Sequence, residues 1–227
     1  MFSTIQGYGV VARKKASGGG NTIISHPTLS NGMTHYYKFD NDLVDAVGSA
    51  DGTNNGATYT ASGKINGGYG FVTNDYVALP NTVINPPEGA IAMWVKFNST
   101  SGLQMCVGSD QNERFYFGQS GGDLYCRLDG SSDFASGTIN IDTWYHLGVT
   151  WRTDGTAEAY LNGVSAGTTT GVTFTSAVQS KINLGSYFEG FSSFVNGTMD
   201  EIPIWDRDVT SSEFSDLFAG GAGMPYN

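Results

Sequence analysis

The stretch NGTMDEIPIWDRDVTSSEF, residues 196–214, decides how this chain is interpreted. It places Asp200 and Glu201 side by side within an apolar run, and Asp206 follows five residues after Glu201. Paired carboxylates of this kind have three interpretations. They are the acid and base of a sugar-cleaving enzyme, the ligands of a metal ion, or a structural part of the fold. The rest of the sequence has to distinguish these three.

The composition indicates a chain of short strands. The 227 residues include 32 glycines, 13% aromatic residues and only 14% charged residues, which is typical of strands joined by Gly-rich turns. The net charge of −10 argues against nucleic acid as a partner, because binding a phosphate backbone needs a positive surface. We expect no secretory leader in residues 1–12, and no apolar run is long enough to span a membrane.

Apolar periodicity predicts ten to twelve strands and one helix. Large apolar residues occupy every second position in AIAMWVKF (90–97) and in WYHLGVTW (144–151), as in a strand with one buried face. Asn162-Gly163 supplies a hairpin turn. Near the C-terminus, Thr210 and Glu213 have the spacing of a helix capping box. The prediction is an all-β fold of two packed antiparallel sheets with one short C-terminal helix.

The N-terminal region differs from the rest. Residues 1–32 contain Arg13, Lys14 and Lys15 but no acidic residue, and the three successive glycines of ASGGGN (16–21) predict a flexible joint. We therefore expect a basic, Gly-rich arm that anchors the chain in an assembly, followed by the sandwich at residues 33–227. The alternative is a solvated, disordered tail.

Three blocks resemble one family. DTWYHLGVTWRTDGTAEAYLNGVSAG (142–167), the closing segment 196–218 and the opening segment 36–71 are similar to laminin-G-like domains of the concanavalin A-like lectin/glucanase superfamily, of the kind found in phage and bacterial surface proteins. The resemblance implies a jelly-roll sandwich over about residues 33–220. It does not specify a ligand, since this fold hosts lectins, adhesion modules, structural modules and glycosidases.

The enzyme interpretation is tested by strand geometry. Glycosidases of this fold class carry a Glu-x-Asp-x-x-Glu strand, whereas here Asp200 and Glu201 are adjacent and so should point to opposite faces. Such a pair cannot flank one sugar as an acid and a nucleophile must. The histidines, at 26, 35 and 146, are scattered along the chain. We predict a protein that is not an enzyme.

A structural calcium ion is the second interpretation. The resemblance implies an ion near the meeting point of the first and last strands, where Asp40 and Asp200 would supply carboxylates. Alternatively these residues, together with the neighbouring Asp42 and Asp45, are solvated loop acids and turn formers.

Ligand contact is expected from an aromatic loop. GSYFEGFSSFVNG (185–197) brings four rings together without periodicity, and rings of this kind suit a sugar platform, a sheet-edge cover or a subunit contact: Tyr187, Phe188, Phe191 and Phe194. A weaker candidate is the segment 120–133, with Tyr125, Arg127, Asp129 and Asp133.

The two cysteines are predicted to be free. If the segments around Cys106, Phe115 and Cys126 are consecutive meander strands with these residues aligned, the cysteines lie two strands apart, or about 9–10 Å. That distance is too long for a disulfide.

The favoured function is a non-enzymatic structural or adhesion protein of a virion, such as a fibre, tail or capsid decoration component. Its arm would bind other virion proteins, and its oligomeric sandwich would face a cell-surface glycan. A free carbohydrate-binding lectin, extracellular or at a cell surface, is the second hypothesis, and a glycoside hydrolase is the third.

Overall fold

Two antiparallel sheets form the body of the protein. A computed structural model describes residues 21–84, 87–109, 114–173 and 182–227. Within these ranges fifteen strands form one sheet of nine strands and one of six, and a single α-helix follows them. The prediction of an all-β jelly-roll sandwich is confirmed.

The strands and the helix have the following bounds: β1 Met33–Tyr37, β2 Thr53–Asn55, β3 Thr58–Thr60, β4 Gly68–Phe71, β5 Tyr76–Leu79, β6 Gly89–Phe97, β7 Leu103–Gly108, β8 Phe115–Ser120, β9 Asp123–Leu128, β10 Trp144–Trp151, β11 Ala157–Leu161, β12 Val164–Thr169, β13 Ile182–Leu184, β14 Gly197–Asp200, β15 Ile202–Trp205 and α1 Ser211–Phe218. The nine-stranded sheet runs β12-β11-β10-β6-β14-β4-β3, with β15 pairing with both β6 and β1. The six-stranded sheet runs β2-β5-β13-β7-β8-β9.

Strand alternation builds the core between the sheets. The predicted inward positions of β6 (Ile91, Met93, Val95 and Phe97) are fully buried, and so are the inward residues of β10. From the six-stranded sheet, Phe115 and Phe117 of β8 and Leu124 and Leu128 of β9 meet them. The residues between these positions therefore point outward, away from the core.

A second apolar layer covers the outer face of the nine-stranded sheet. Ile23 and Leu29, which the sequence assigned to the arm, are buried there against Trp205 and the helix residue Phe214. The indole of Trp205 donates a hydrogen bond to the Leu29 carbonyl at 2.7 Å. Residues 21–32 thus pack on the sandwich, whereas Arg13, Lys14 and Lys15 lie outside the described residues.

The C-terminal helix begins as the sequence predicts. Thr210 accepts a hydrogen bond from the Glu213 amide, and the Glu213 side chain bonds back to Thr210, which completes the capping box. Ala219, in the left-handed conformation with φ 48°, ends the helix before Gly220. The helix thereby places Phe214 and Leu217 on the outer face of the nine-stranded sheet.

The expected alternation at Asp200 and Glu201 is wrong. Glu201 has φ 50° and interrupts the strand between β14 and β15. Met199 and Ile202 both face the inter-sheet core, so the two carboxylates between them share the outer side, as in a β-bulge. The sequence carries one sign of irregularity, Pro203, which cannot donate a ladder hydrogen bond, but it does not locate the break at Glu201.

The cysteines are buried and free, as predicted. The assumed strand register is wrong, because Cys126 faces Phe117 and a bulge lies between Met105 and Val107. Burial raises the pKa of the Cys106 thiol, which keeps it as an inert packing residue. Among the described residues, no helix has the length and apolar character needed to cross a bilayer.

Candidate functional site

The aromatic loop folds over the outer face of the six-stranded sheet. Its backbone lies directly on β7, because a Cβ atom at Gly108 would come within 2.3 Å of the Ser186 carbonyl oxygen. Further along, a Cβ atom at Gly190 would come within 2.3 Å of the Tyr76 ring. Glycine is needed at both positions for this close approach. The loop therefore lies against the outer side of β7, next to the outward side chains of β8 and β9. We call this loop, residues 185–197, the wall.

Tyr187 is the residue by which this wall meets the sheet. Its ring lies 5.3 Å from that of Tyr116 in an edge-on arrangement, and the two hydroxyl groups are 3.1 Å apart. Phe188 contacts Tyr187 edge-on, with ring centroids 6.5 Å apart. Phe191 projects from the loop with 81% of its surface exposed, and Phe194 is half-buried.

The weaker sequence candidate, segment 120–133, lies beside this wall. Tyr116 of β8 is directly opposite Arg127 of β9, and Tyr125 lies two residues before Arg127 on the same face. Asp133 approaches Arg127, with 3.8 Å between Oδ1 and the guanidinium Nη1. We call the set Tyr116, Tyr125, Arg127, Asp133 and Tyr187 the tyrosine step.

The electrostatics show that the polar groups of the step act on one another. Burial, and then the Asp133 carboxylate, raises the pKa of Tyr125, while Arg127 opposes the shift. Burial and the Tyr187 hydroxyl likewise raise the pKa of Tyr116, against the effect of Arg114. Tyr116 and Tyr125 therefore stay neutral hydroxyl groups, which both donate and accept hydrogen bonds.

Sequence reasoning missed Tyr116. Its signal was present, since the alternation in RFYFG puts Tyr116 outside when Phe115 and Phe117 are inside. The decisive contact with Tyr187 depends on how a loop 71 residues later folds back, and no local pattern encodes that.

The predicted calcium ligands converge on one loop. The amides of Lys64 and Ile65 each donate to Asp200 Oδ2 at 2.8 Å, and the Gly67 amide donates to Asp40 Oδ1 at 2.9 Å. Asp200 Oδ1 is buried and has no hydrogen-bond partner within the part of the chain that the structure describes.

The donor set fits calcium only in part. Calcium takes six to eight oxygens, and the described residues contain no group of three or more Asp, Glu, His or Cys that could hold a metal. Asp45 is used elsewhere, since its oxygens accept from the Tyr36, Gly48 and Ala50 amides. Backbone carbonyls would have to complete a site, and the calcium at Asp40 and Asp200 stays a prediction.

The acid pair that raised the enzyme question is inaccessible. Asp200 is 0% and Glu201 5% exposed, beneath the outer apolar layer. Burial raises the pKa of each carboxyl to about 8, and the Tyr36 hydroxyl donates to Glu201. A substrate cannot reach these groups in this conformation.

Comparison with solved structures finds similar sandwiches. Domain 4 of AbnA, a GH43 extracellular arabinanase from Geobacillus stearothermophilus solved in complex with arabinotriose, is 22% identical with a TM-score of 0.65, over 81% of this chain and 97% of that chain. The binding domain of Paraclostridial Mosquitocidal Protein 1 is 15% identical with a TM-score of 0.67, over 84% of this chain and 52% of that one. Trypanosoma rangeli sialidase is 14% identical with a TM-score of 0.64, and the match covers 85% of this chain and 33% of the sialidase chain.

These likenesses show the fold alone. The chain spans about half the length of the mosquitocidal binding domain and a third of the length of the sialidase. No curated protein matches the sequence. The Laminin_G_3 family model, described as concanavalin A-like lectin/glucanases superfamily, matches residues 71–215. The chain is therefore a member of the Laminin_G_3 family within the concanavalin A-like lectin/glucanase superfamily.

Proposed function

We propose that this protein is a non-catalytic glycan-binding module whose ligand lies on the tyrosine step. The observation that carries the proposal is the meeting of three tyrosines and an Arg–Asp pair at the foot of a raised loop. Binding sites commonly combine aromatic surface with a few convergent polar groups, and the step has both of these.

Sugar chemistry matches this surface. A sugar ring has flat C–H faces that pack on an aromatic ring, and its hydroxyl groups need donors and acceptors around the edge. Tyr125 and Tyr187 are half-buried, so they offer ring surface at little cost in conformational entropy. Arg127 and Asp133 have side chains that are 38% and 57% exposed, and they supply the donors and acceptors.

The burial of the acid pair supports a module without catalysis. A glycosidase needs two carboxyl groups open to the glycosidic bond, and Asp200 and Glu201 are covered. The solved domain similar to this chain that holds arabinotriose supports the idea that such a sandwich can bind a sugar. At 22% identity that likeness does not carry a ligand over to this chain.

The biological setting stays a prediction from the sequence. An adhesive role in a virion, with Arg13, Lys14 and Lys15 in an arm that contacts other virion proteins, rests on residues that the structure does not describe. A homo-oligomer, a free extracellular lectin and a cell-surface location are also predictions. The exposed Phe191 at the top of the wall is a surface that either a glycan or a subunit could cover.

A glycan array with the purified chain tests the proposal. We expect binding that weakens at least tenfold in Tyr187→Ala and in Tyr125→Ala, with no hydrolysis products in solution. The matched control is Tyr59→Ala, which removes a 40% exposed tyrosine of β3 in the other sheet. Release of sugar, abolished by Asp200→Asn with Glu201→Gln, would overturn the non-catalytic assignment.

A further inference from the structure

We infer that the tyrosine step selects neutral glycans with vicinal hydroxyl groups, and that Arg127 and Asp133 are its specificity-determining pair. This inference rests on the proposed function and names the class of ligand for that site. It depends on how the hydrogen-bonding capacity of these two side chains is used.

The Arg127 guanidinium has donors to spare. Its Nη1 is 3.8 Å from Asp133 Oδ1, beyond hydrogen-bond distance. The side chain is 38% exposed while its Nε is buried, so the donors open to a ligand are the terminal nitrogens. Arg207 shows the contrast within the same chain, because its nitrogens donate to three backbone carbonyls and to both oxygens of Glu213. Arg207 is a structural residue, whereas Arg127 retains capacity for a ligand oxygen.

Asp133 places an acceptor beside that donor. More than half of its side chain is exposed, so its oxygens are accessible to a ligand. Each hydroxyl of a sugar both donates and accepts, so two adjacent hydroxyls can accept from the guanidinium and donate to the carboxylate at once. A vicinal diol therefore uses both members of the pair.

An anionic sugar would gain much less binding free energy from the Arg127–Asp133 pair. A carboxylate or sulfate drawn to Arg127 would lie close to Asp133, and like charges at such distances repel about as strongly as the opposite pair attracts. The net charge of −10 on the whole chain also repels an anionic ligand. The pair thus favours hydroxyl groups over anions.

The neighbouring aromatics set where such a diol lies. Tyr116 is opposite Arg127 across the β8–β9 pair, and Tyr187 stands over Tyr116 from the loop. A ring packed on the tyrosines would point one edge at Arg127 and Asp133. The hydroxyl-bearing edge of the sugar would then hydrogen-bond to the charged pair, and its C–H face would pack on the tyrosine rings.

The test uses an array of neutral glycans and uronic-acid or sulfated glycans, with the full chain. We expect neutral hits that lose at least tenfold in affinity after periodate cleavage of the glycan's vicinal diols. Binding should change less than about twofold when salt screens long-range charge interactions. Arg127→Gln should weaken the neutral hits at least tenfold, and Asp133→Asn should allow acidic glycans to bind.

The matched control is Arg152→Gln, since Arg152 is a partly exposed arginine of the nine-stranded sheet that pairs with Glu158 at 3.7 Å and with Asp208 at 3.4 Å. Thermal unfolding of each variant identifies any loss caused by misfolding. Hits that are mainly acidic, weaken in high salt and need Arg127 would overturn this inference while leaving glycan binding intact. Binding to no glycan would instead overturn the proposed function itself.

Discussion

Replacing Glu213 by glutamine should cost the protein about 2–3 kcal/mol of folding free energy at pH 7. Glu213 ties the N-terminal segment to the helix, because its carboxylate accepts hydrogen bonds from Thr28, from both terminal nitrogens of Arg207 and from Thr210. Its side chain is only 8% exposed, so solvent screens these bonds weakly.

The magnitude follows from the pKa. Burial alone would raise the pKa of Glu213, but the hydrogen bonds from Arg207, Thr28 and Thr210 lower it from 4.5 to about 2. At about 1.4 kcal/mol per pH unit, that depression corresponds to about 3 kcal/mol as an upper value. Because the folded pKa is depressed, this stability is present above pH 4.5 and is lost as the pH falls towards 2.

Urea or thermal unfolding at pH 7 and at lower pH measures the effect. The melting temperature of Glu213→Gln should be roughly 4–10 °C lower at pH 7, and the difference from the wild type should shrink as the pH approaches 2. Glu158→Gln is the control, since a loose ion pair contributes under about 1 kcal/mol. A loss of the same size at both pH values, or none at pH 7, would refute the reasoning.

Three other predictions concern the buried acids and the arm. Since burial raises the pKa of Asp200 and of Glu201 to about 8, the folded state favours both protonated acids, and each should lower stability between pH 5 and pH 8 by at most about 1.4 kcal/mol per unit; Glu201→Gln should remove the Glu201 part of this slope in a thermal denaturation series with chelator present, and an unchanged slope would count against it. If Asp40 and Asp200 bind calcium, a chelator should lower the melting temperature of the wild type but not of Asp200→Asn, and equal effects on both would exclude this site. Deletion of residues 1–20 should leave a folded sandwich that no longer assembles, as light scattering would show, whereas deletion to residue 32 should also destabilise it by removing Ile23 and Leu29 from their apolar layer; normal assembly of the shorter deletion would contradict the anchor role.

Local patterns predicted much of the fold. The alternation in β6 and β10, the capping box at Thr210 and the free cysteines all depend on residues close in sequence or on strand spacing, and the structure confirms them. The bulge at Glu201 escaped prediction because glutamate rarely adopts a positive φ, so neither Glu201 nor the nearby Pro203 located the break.

The candidate site was predictable only in pieces. The sequence named Tyr187 and, separately, Tyr125, Arg127 and Asp133, but did not place them together. Their meeting depends on the long-range pairing of β13 with β7, which carries the loop over Gly108 and onto Tyr116. Such a contact is a property of the topology rather than of any short stretch.

The most direct test of the central claim is to locate a bound glycan on the protein. Backbone and side-chain NMR shifts should be followed while the best glycan from the array is titrated into the labelled chain. The account predicts changes confined to the tyrosine step and its wall, centred on Tyr125, Arg127 and Tyr187. Changes centred on the nine-stranded sheet or near Asp200 and Glu201, with the step unaffected, would contradict it.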